Sequence, residues 1–182
     1  MKNKFFLIVL IFFTPPVVAE CDFKTGEFID ELKDPRSIVL IEVEVPKSAK
    51  YFRNVFKIIA SESRNIPSNL KKSSRAEISV HYQFGVCTYQ GKVRQSGDWR
   101  DHIRLLPGGK VLRSLDVKLR TGNIINAVSF KLLIPETRLG MNEILATLLL
   151  GKAGFIVPET FEVQTLVNGV KAKMLFQEKA RK

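Results

Sequence analysis

The chain has 182 residues with a formal net charge of +11, and 45% of its residues are hydrophobic. This length allows one domain with a substantial core, and no internal repeat suggests an array of smaller units. Neither of the two cysteines has a histidine or a second cysteine at metal-ligand spacing, so the sequence gives no support for a zinc site.

The amino terminus has the order of a secretory signal peptide. Two lysines precede the apolar run 5–13, and a short Pro-Pro-Val-Val segment leads to Ala19. We therefore predict a signal peptide over residues 1–19, with cleavage between Ala19 and Glu20. The apolar run is too short to span a bilayer. The remaining residues, 20–182, are expected to form a single exported domain, periplasmic or extracellular, that does not cross the membrane.

Export would affect the oxidation state of the two cysteines and the kind of partner that the excess of basic residues can meet. In an oxidising compartment Cys21 and Cys87 could form a disulfide. It would close a loop of about 66 residues and add roughly 4 kcal/mol of stability. Two free thiols are the alternative. The positive charge favours anionic partners such as nucleotide phosphates, acidic polysaccharide or lipid headgroups, with no DNA expected, although a generic basic surface explains it equally well.

The first half of the chain predicts a strand, a helix and a hairpin. Residues 38–45 are rich in β-branched side chains, and a helix follows from about Ser48. Its apolar residues recur at helical spacing, and its basic residues lie opposite, which predicts an amphipathic helix with a solvated basic face. Two strand-like segments, 76–84 and 86–94, then meet near Gly85 as a hairpin.

A six-residue stretch after this hairpin combines turn formers with reactive side chains. It contains Asp98, Trp99, Asp101 and His102. A metal or acid/base site could be built on the two carboxylates and the imidazole. A locked turn anchored by Trp99 is the interpretation we favour, because no second histidine cluster supports a hydrolase.

The second half predicts more strands and one further helix. The strands are expected at 114–119, 128–134, 160–167 and 171–177. Thr137 can cap a helix that runs to about Lys152 and is expected to be the most buried helix. Asn168-Gly169 is typical of a two-residue type I′ hairpin turn. These elements predict an α+β fold with a largely antiparallel sheet and two main helices.

From Ser114 to Lys179 the order of short motifs resembles a known family. A strand SLDVKL is followed by a strand ending in a short loop, a helix, a Gly-x-x-x-Pro turn, an Asn-Gly hairpin and a final Gln-Glu-Lys. The positions that carry the resemblance are Lys118, 130–135, Asn142, Gly154, Pro158, Asn168, Gly169, Glu178 and Lys179. The stretch is similar to the amino-terminal lobe of the CotH type of secreted, protein-kinase-like proteins.

This resemblance implies that ATP binds with a divalent metal and that its γ-phosphoryl group passes to a hydroxyl of a protein substrate. Lys118 would face the phosphates, and Glu143 could pair with it. Glu178 and Lys179 would form the hinge beside the adenine. A solvated strand lysine and ordinary surface glutamates are the alternatives for these positions.

The departures from the family pattern limit this function. Met141-Asn142 stands where the family has Arg-Asn, and the second lobe with its metal-binding aspartates would come after Lys182. We expect that these residues alone do not transfer phosphate. Two functions stay open: a nucleotide-binding lobe that is active only with a continuation, and an exported noncatalytic module that binds an anionic envelope polymer or a protein partner.

Overall fold

The computed structural model describes residues 19–46, 48–61 and 63–179. The predicted signal peptide therefore lies, apart from Ala19, outside the described residues. The helices are α1 (Ser48–Ala60) and α2 (Met141–Lys152). The strands are β1 (Glu20–Cys21), β2 (Ile38–Glu44), β3 (Ser74–Tyr82), β4 (Gly85–Gln95), β5 (Ile103–Leu105), β6 (Val111–Arg113), β7 (Leu115–Leu119), β8 (Ser129–Leu133), β9 (Thr160–Val167) and β10 (Val170–Glu178).

Seven strands form a sheet that closes on itself. Their order is β4-β3-β2-β9-β10-β8-β7, and β7 pairs with β4 to complete the barrel. The β2 and β9 pair is parallel, whereas the other pairs in this ring are antiparallel. The fold class predicted from the sequence is thus wrong: the described chain is mostly β, a closed mixed sheet, and not a kinase-like α+β lobe.

The error has a physical origin. Alternation of apolar and polar residues identifies a strand and its two faces, but it does not identify the neighbouring strand. The predicted strands all exist, with boundaries shifted by up to two residues. The parallel pairing of β2 with β9 joins segments more than a hundred residues apart, and the contact of β4 with β7 closes the ring. Neither pairing leaves a local signal.

Aromatic and branched side chains fill the interior of the closed sheet. Phe130 and Phe176 are fully buried, and their ring centroids lie 4.6 Å apart. Phe161 stacks on the other side of Phe176 at 4.7 Å. Because side chains alternate between the two faces of a strand, Lys92, Lys118 and Lys131, which lie next to buried residues on β4, β7 and β8, are on the outer face.

The predicted disulfide between Cys21 and Cys87 is confirmed, and it attaches β1 to β4. The two cysteines are directly opposite each other in the strand register. Their loop spans 66 positions of the sequence. Phe23 lies two residues after β1 and its ring contacts Tyr82 and Phe84, so an aromatic cluster supports the same end of the sheet.

The hairpin around Asn168 and Gly169 is also confirmed. Both residues have positive φ, 45° and 75°, as a type I′ turn requires. Asn168 makes a second connection: its backbone N–H donates to the carbonyl of Val43, and its side-chain oxygen accepts from the N–H of Val45 at 2.8 Å. The turn between β9 and β10 is thereby fixed to the end of β2.

The prediction that α2 is the most buried helix is wrong. It packs on the outer side of β9 and contains no buried residue. Apolar side chains on and beside α2 stay exposed, among them Leu145, Leu148, Leu149, Phe155 and Ile156. In α1, by contrast, Val55 and Ile58 are buried. No helix within the described part of the chain has the length and apolar character needed to cross a membrane.

Candidate functional site

The outer face of β4, β7 and β8 is built from two cross-strand rows of polar side chains. In one row Arg94 lies opposite Asp116, and Asp116 lies opposite Lys131. In the other row Lys92 lies opposite Lys118, and Lys118 lies opposite Ser129. The residues between these positions, such as Val93, Val117 and Phe130, point into the barrel. Side chains alternate between the two faces of a strand, so the same pattern that directs apolar residues into the core places these polar residues in rows on the outside.

Lys179 joins these rows from the end of β10. Its backbone N–H donates to the carbonyl of Ser129 at 3.0 Å, and its Nζ donates to Asp116 Oδ2 at 2.9 Å. We call the five cationic residues of this region the basic surface. Its members are Lys92, Arg94, Lys118, Lys131 and Lys179. Asp116 is the carboxylate that stands among them in the strand register, so five positive charges face one negative charge.

Asp116 is held by two of these cations. Arg94 donates to its Oδ2 through Nη2 at 2.7 Å and through Nε at 3.1 Å, and Lys179 donates to the same oxygen. Burial would raise the pKa of Asp116, but the hydrogen bonds from Lys179 and Arg94 outweigh burial and lower that pKa. Asp116 is therefore ionised at neutral pH and already neutralises part of the charge of these two partners.

The other cations of the basic surface form no ion pair with a carboxylate of the described residues. Lys92 and Lys118 are both exposed and stand directly opposite each other on adjacent strands. Like charges in this position destabilise a sheet by a few tenths of a kcal/mol to about 1 kcal/mol. Lys131 is half-buried, and burial together with the nearby Arg138 lowers its pKa. The surface thus concentrates uncompensated positive charge.

Three hollows adjoin the basic surface. One of about 560 Å³ is lined by Lys131, Glu178 and Lys179 among others. A smaller one of about 250 Å³ is lined by Lys92, Arg94, Lys118 and Lys179 among others. The largest, of about 740 Å³, shares Arg94, Asp116 and Lys179 with the smaller one and extends past Lys131. We call the largest one the cleft. Its far side is formed by Lys71, Asp98, Trp99, Asp101, His102 and Arg138.

The structure brings together only some of the residues that the family resemblance implies. Lys118 and Lys179 line the same hollow. Glu143 lies on α2, where its Oε1 accepts a hydrogen bond from Gln177 at 2.6 Å. Glu178 is opposite Phe130 in the strand register and so belongs to the inward row, whereas Lys118 is in the outward row. Glu178 and Lys179 line a hollow together with Lys131, but Lys118 does not line it.

The stretch around Asp98 and His102 forms an ordered turn. Asp98 accepts a hydrogen bond from Lys71, and this bond holds the pKa of Asp98 below its ordinary value. His102 is buried with Nδ1 at 2.9 Å from Ser114 Oγ, and burial lowers its pKa. A side chain at Gly97 would collide with the His102 ring, and Gly97 has a φ of +84°.

These contacts match the locked turn that the sequence favours, but Trp99 does not anchor it. The Trp99 side chain is half exposed, and the guanidinium of Arg64 stacks 4.5 Å from the centre of its ring. Within residues 19–46, 48–61 and 63–179, no three His, Cys, Asp or Glu side chains are grouped so that they could hold a metal ion.

Sequence reasoning missed most of the basic surface. Lys92 and Lys131 each alternate with buried residues, as Lys118 does. That pattern shows a lysine on the outer face of each of three strands. It could have drawn attention to these residues, but the strand register was needed to place them side by side.

Comparison with protein families found no family model that matches the chain, and the search of curated proteins found no match. The resemblance to the CotH type therefore stays a prediction from the motifs, without the kinase-like fold that it implied.

Proposed function

We propose that this protein is an exported, noncatalytic module that binds an anionic polymer of the cell envelope on its basic surface. The observation that carries the proposal is the direct juxtaposition of Lys92 and Lys118, which form no ion pair with a carboxylate of the described residues. An arrangement that costs stability in the free protein is relieved when an anion binds between the charges.

A polymer fits this surface better than a single small anion. The positive charges extend along two rows and continue into the cleft, where Arg138 is a further cation. A chain that carries one negative charge per unit can contact several of these cations at once, and simultaneous contacts raise the overall affinity. Each single contact at an exposed lysine is weak and is screened by salt.

Export is part of the proposal and has two supports. The amino-terminal sequence has the order of a signal peptide, and the Cys21–Cys87 disulfide is typical of proteins in oxidising compartments. Detection of a mature amino terminus at Glu20 in the periplasmic or culture fraction tests it. A full-length protein retained in the cytoplasm would contradict it.

Nucleotide binding through the kinase-like positions is not favoured. Lys118 and Glu178 belong to opposite faces of the sheet, and Glu143 contacts Gln177. A nucleotide held as the resemblance implies would need these side chains around one hollow. ATP with magnesium therefore serves as one arm of the binding test.

The test compares charge reversals that differ only in position. Lys118→Glu removes a cation from the basic surface. Lys171→Glu makes the same change at an exposed lysine on β10 that lies eight residues, about 26 Å, from Lys179. We expect Lys118→Glu to weaken binding of polygalacturonate and of inorganic polyphosphate about tenfold at 50 mM salt, and Lys171→Glu to change it less than twofold.

Two results would overturn the proposal: no binding of either polymer at low salt, or equal losses in the two variants. Equal losses would mean that only the net charge attracts the polymer. Tight ATP binding that Lys118→Glu abolishes, without polymer binding, would instead support the nucleotide hypothesis.

A further inference from the structure

The cleft beside the basic surface differs from it in composition. It adds an aromatic ring, Trp99, and two carboxylates, Asp98 and Asp101, to the cations Lys131 and Arg138. The basic surface alone could bind any polyanion. The cleft combines cations, acceptors and a flat apolar ring, and such a combination selects among ligands.

Trp99 provides the apolar contact. The ring is half exposed, although a large aromatic side chain usually lies against the core. Arg64 stacks on the ring but does not line the cleft, whereas Trp99 does line it. An exposed ring of this kind can pack against the apolar face of a sugar ring.

The carboxylates favour a ligand that has hydroxyl groups. Asp101 is exposed and forms no ion pair with another described residue. A carboxylate accepts hydrogen bonds from hydroxyl groups but repels phosphate oxygens. A polyphosphate has no hydroxyl group along its chain and meets only this repulsion in the cleft, whereas a charged sugar also has hydroxyl groups that can donate to Asp101.

The single ring also weighs against single-stranded nucleic acid. Such sites stack successive bases on several aromatic side chains along a basic groove. Trp99 is the aromatic residue that lines the cleft, and none lines the hollow beside Lys118 among the described residues. One ring surrounded by charges fits a polymer in which every unit is a charged sugar.

We propose, on the basis of the polymer-binding function above, that the cleft binds one sugar-acid unit of an acidic polysaccharide. The sugar ring packs on Trp99, its hydroxyl groups donate to Asp101, and its carboxylate lies between Lys131 and Arg138. Neighbouring units of the polymer continue over Lys118 and Lys92. The ligand class is therefore acidic polysaccharide, and the cleft provides the selectivity that the basic surface lacks.

Trp99 allows a direct test because it is the only tryptophan of the chain. We expect oligogalacturonate to change the tryptophan fluorescence of the unmodified protein in a saturable manner, and inorganic polyphosphate of similar charge to change it little. Trp99→Ala should weaken oligogalacturonate binding about tenfold, a loss typical of one removed stacking contact. It should leave polyphosphate binding within twofold.

Two further variants sharpen the result. Phe56→Ala removes another exposed aromatic ring, on α1, and should leave both affinities unchanged. Asp101→Asn should weaken oligogalacturonate binding and strengthen polyphosphate binding, because it removes both an acceptor and a repulsive charge. Thermal unfolding of each variant checks that the fold is retained.

The outcomes separate this inference from the proposed function. If both polymers bind and Lys118→Glu weakens both, while Trp99→Ala changes neither affinity, the polymer-binding function stands and the sugar-acid subsite is wrong. A single-stranded oligonucleotide that binds more tightly than oligogalacturonate and quenches Trp99 would also overturn the subsite. If no polymer binds, both proposals fail.

Discussion

The interior of the closed sheet and the surface of α2 use the same kinds of residues in opposite ways. Phe176 in β10 is fully buried between two other phenylalanine rings, whereas Phe155, just after α2, is 64% exposed. Both segments are rich in apolar side chains. The difference is that the strands surround a shared interior, while α2 rests on the outside of β9. Apolar composition alone therefore does not predict burial.

The largest effect is expected for Phe176→Ala. Removing this ring from the middle of the stack leaves a cavity between Phe130 and Phe161, and such losses cost about 3–5 kcal/mol. Urea unfolding monitored by circular dichroism measures the free energy of unfolding. Phe155→Ala is the matched control, for which less than about 0.5 kcal/mol is expected. Similar losses in the two variants would contradict the contrast between the interior and the α2 region.

The disulfide comes next. The double variant Cys21→Ala/Cys87→Ala releases a loop of 66 residues and is expected to lose about 2–4 kcal/mol. β1 is then held to β4 by the pairing of its two residues and by the hydrogen bonds between Asp22 and Val86. The free energies of unfolding of the oxidised parent and of the double variant give the difference. A parent that is equally stable after reduction would show that the bridge constrains little.

Asp116→Asn should have a smaller effect that depends on pH. The variant weakens the hydrogen bonds from Arg94 and Lys179, both partly exposed, so about 1 kcal/mol is expected at pH 7. Because the folded pKa of Asp116 is lowered, its contribution is complete above the unfolded pKa of about 3.9. It is lost as the pH falls through the folded pKa. Urea unfolding should show a smaller difference between the parent and the variant at pH 3 than at pH 7.

The smallest effect is expected in α2. Leu148 is 58% exposed, so Leu148→Gln removes little buried surface and keeps a good helix former. The free energy of unfolding should change by less than about 0.5 kcal/mol. A loss of several kcal/mol would mean that α2 is packed as the sequence analysis expected.

The sequence identified local features well. The Asn168-Gly169 turn needs two residues with positive φ, and this dipeptide supplies them at little steric cost. The strands are recognisable because their apolar residues alternate, as in 115–119. The disulfide was one of two possibilities, since the spacing of two cysteines permits a bridge without requiring it.

The rest depended on contacts between distant segments. Lys118 attracts attention through the family resemblance, but its neighbour Lys92 follows from the register of β7 on β4, which no local pattern determines. The cleft forms only where β4, the turn at Trp99 and the segment with Arg138 lie next to one another in the folded chain. The expected burial of α2 rested on its apolar residues, and these cannot show whether another segment covers them.

Asn168 has a consequence for how the sheet could open. The residue belongs to the most local element of the fold, yet two of its hydrogen bonds reach Val43 and Val45 at the end of β2. An exchange to glycine would keep the tight hairpin but delete the side-chain link at 2.8 Å. The hairpin turn would stay intact, but the parallel pair of β2 and β9 would lose a hydrogen bond that ties its end together. The substitution would therefore favour separation of β2 from β9, and with it opening of the closed sheet, without disturbing the hairpin.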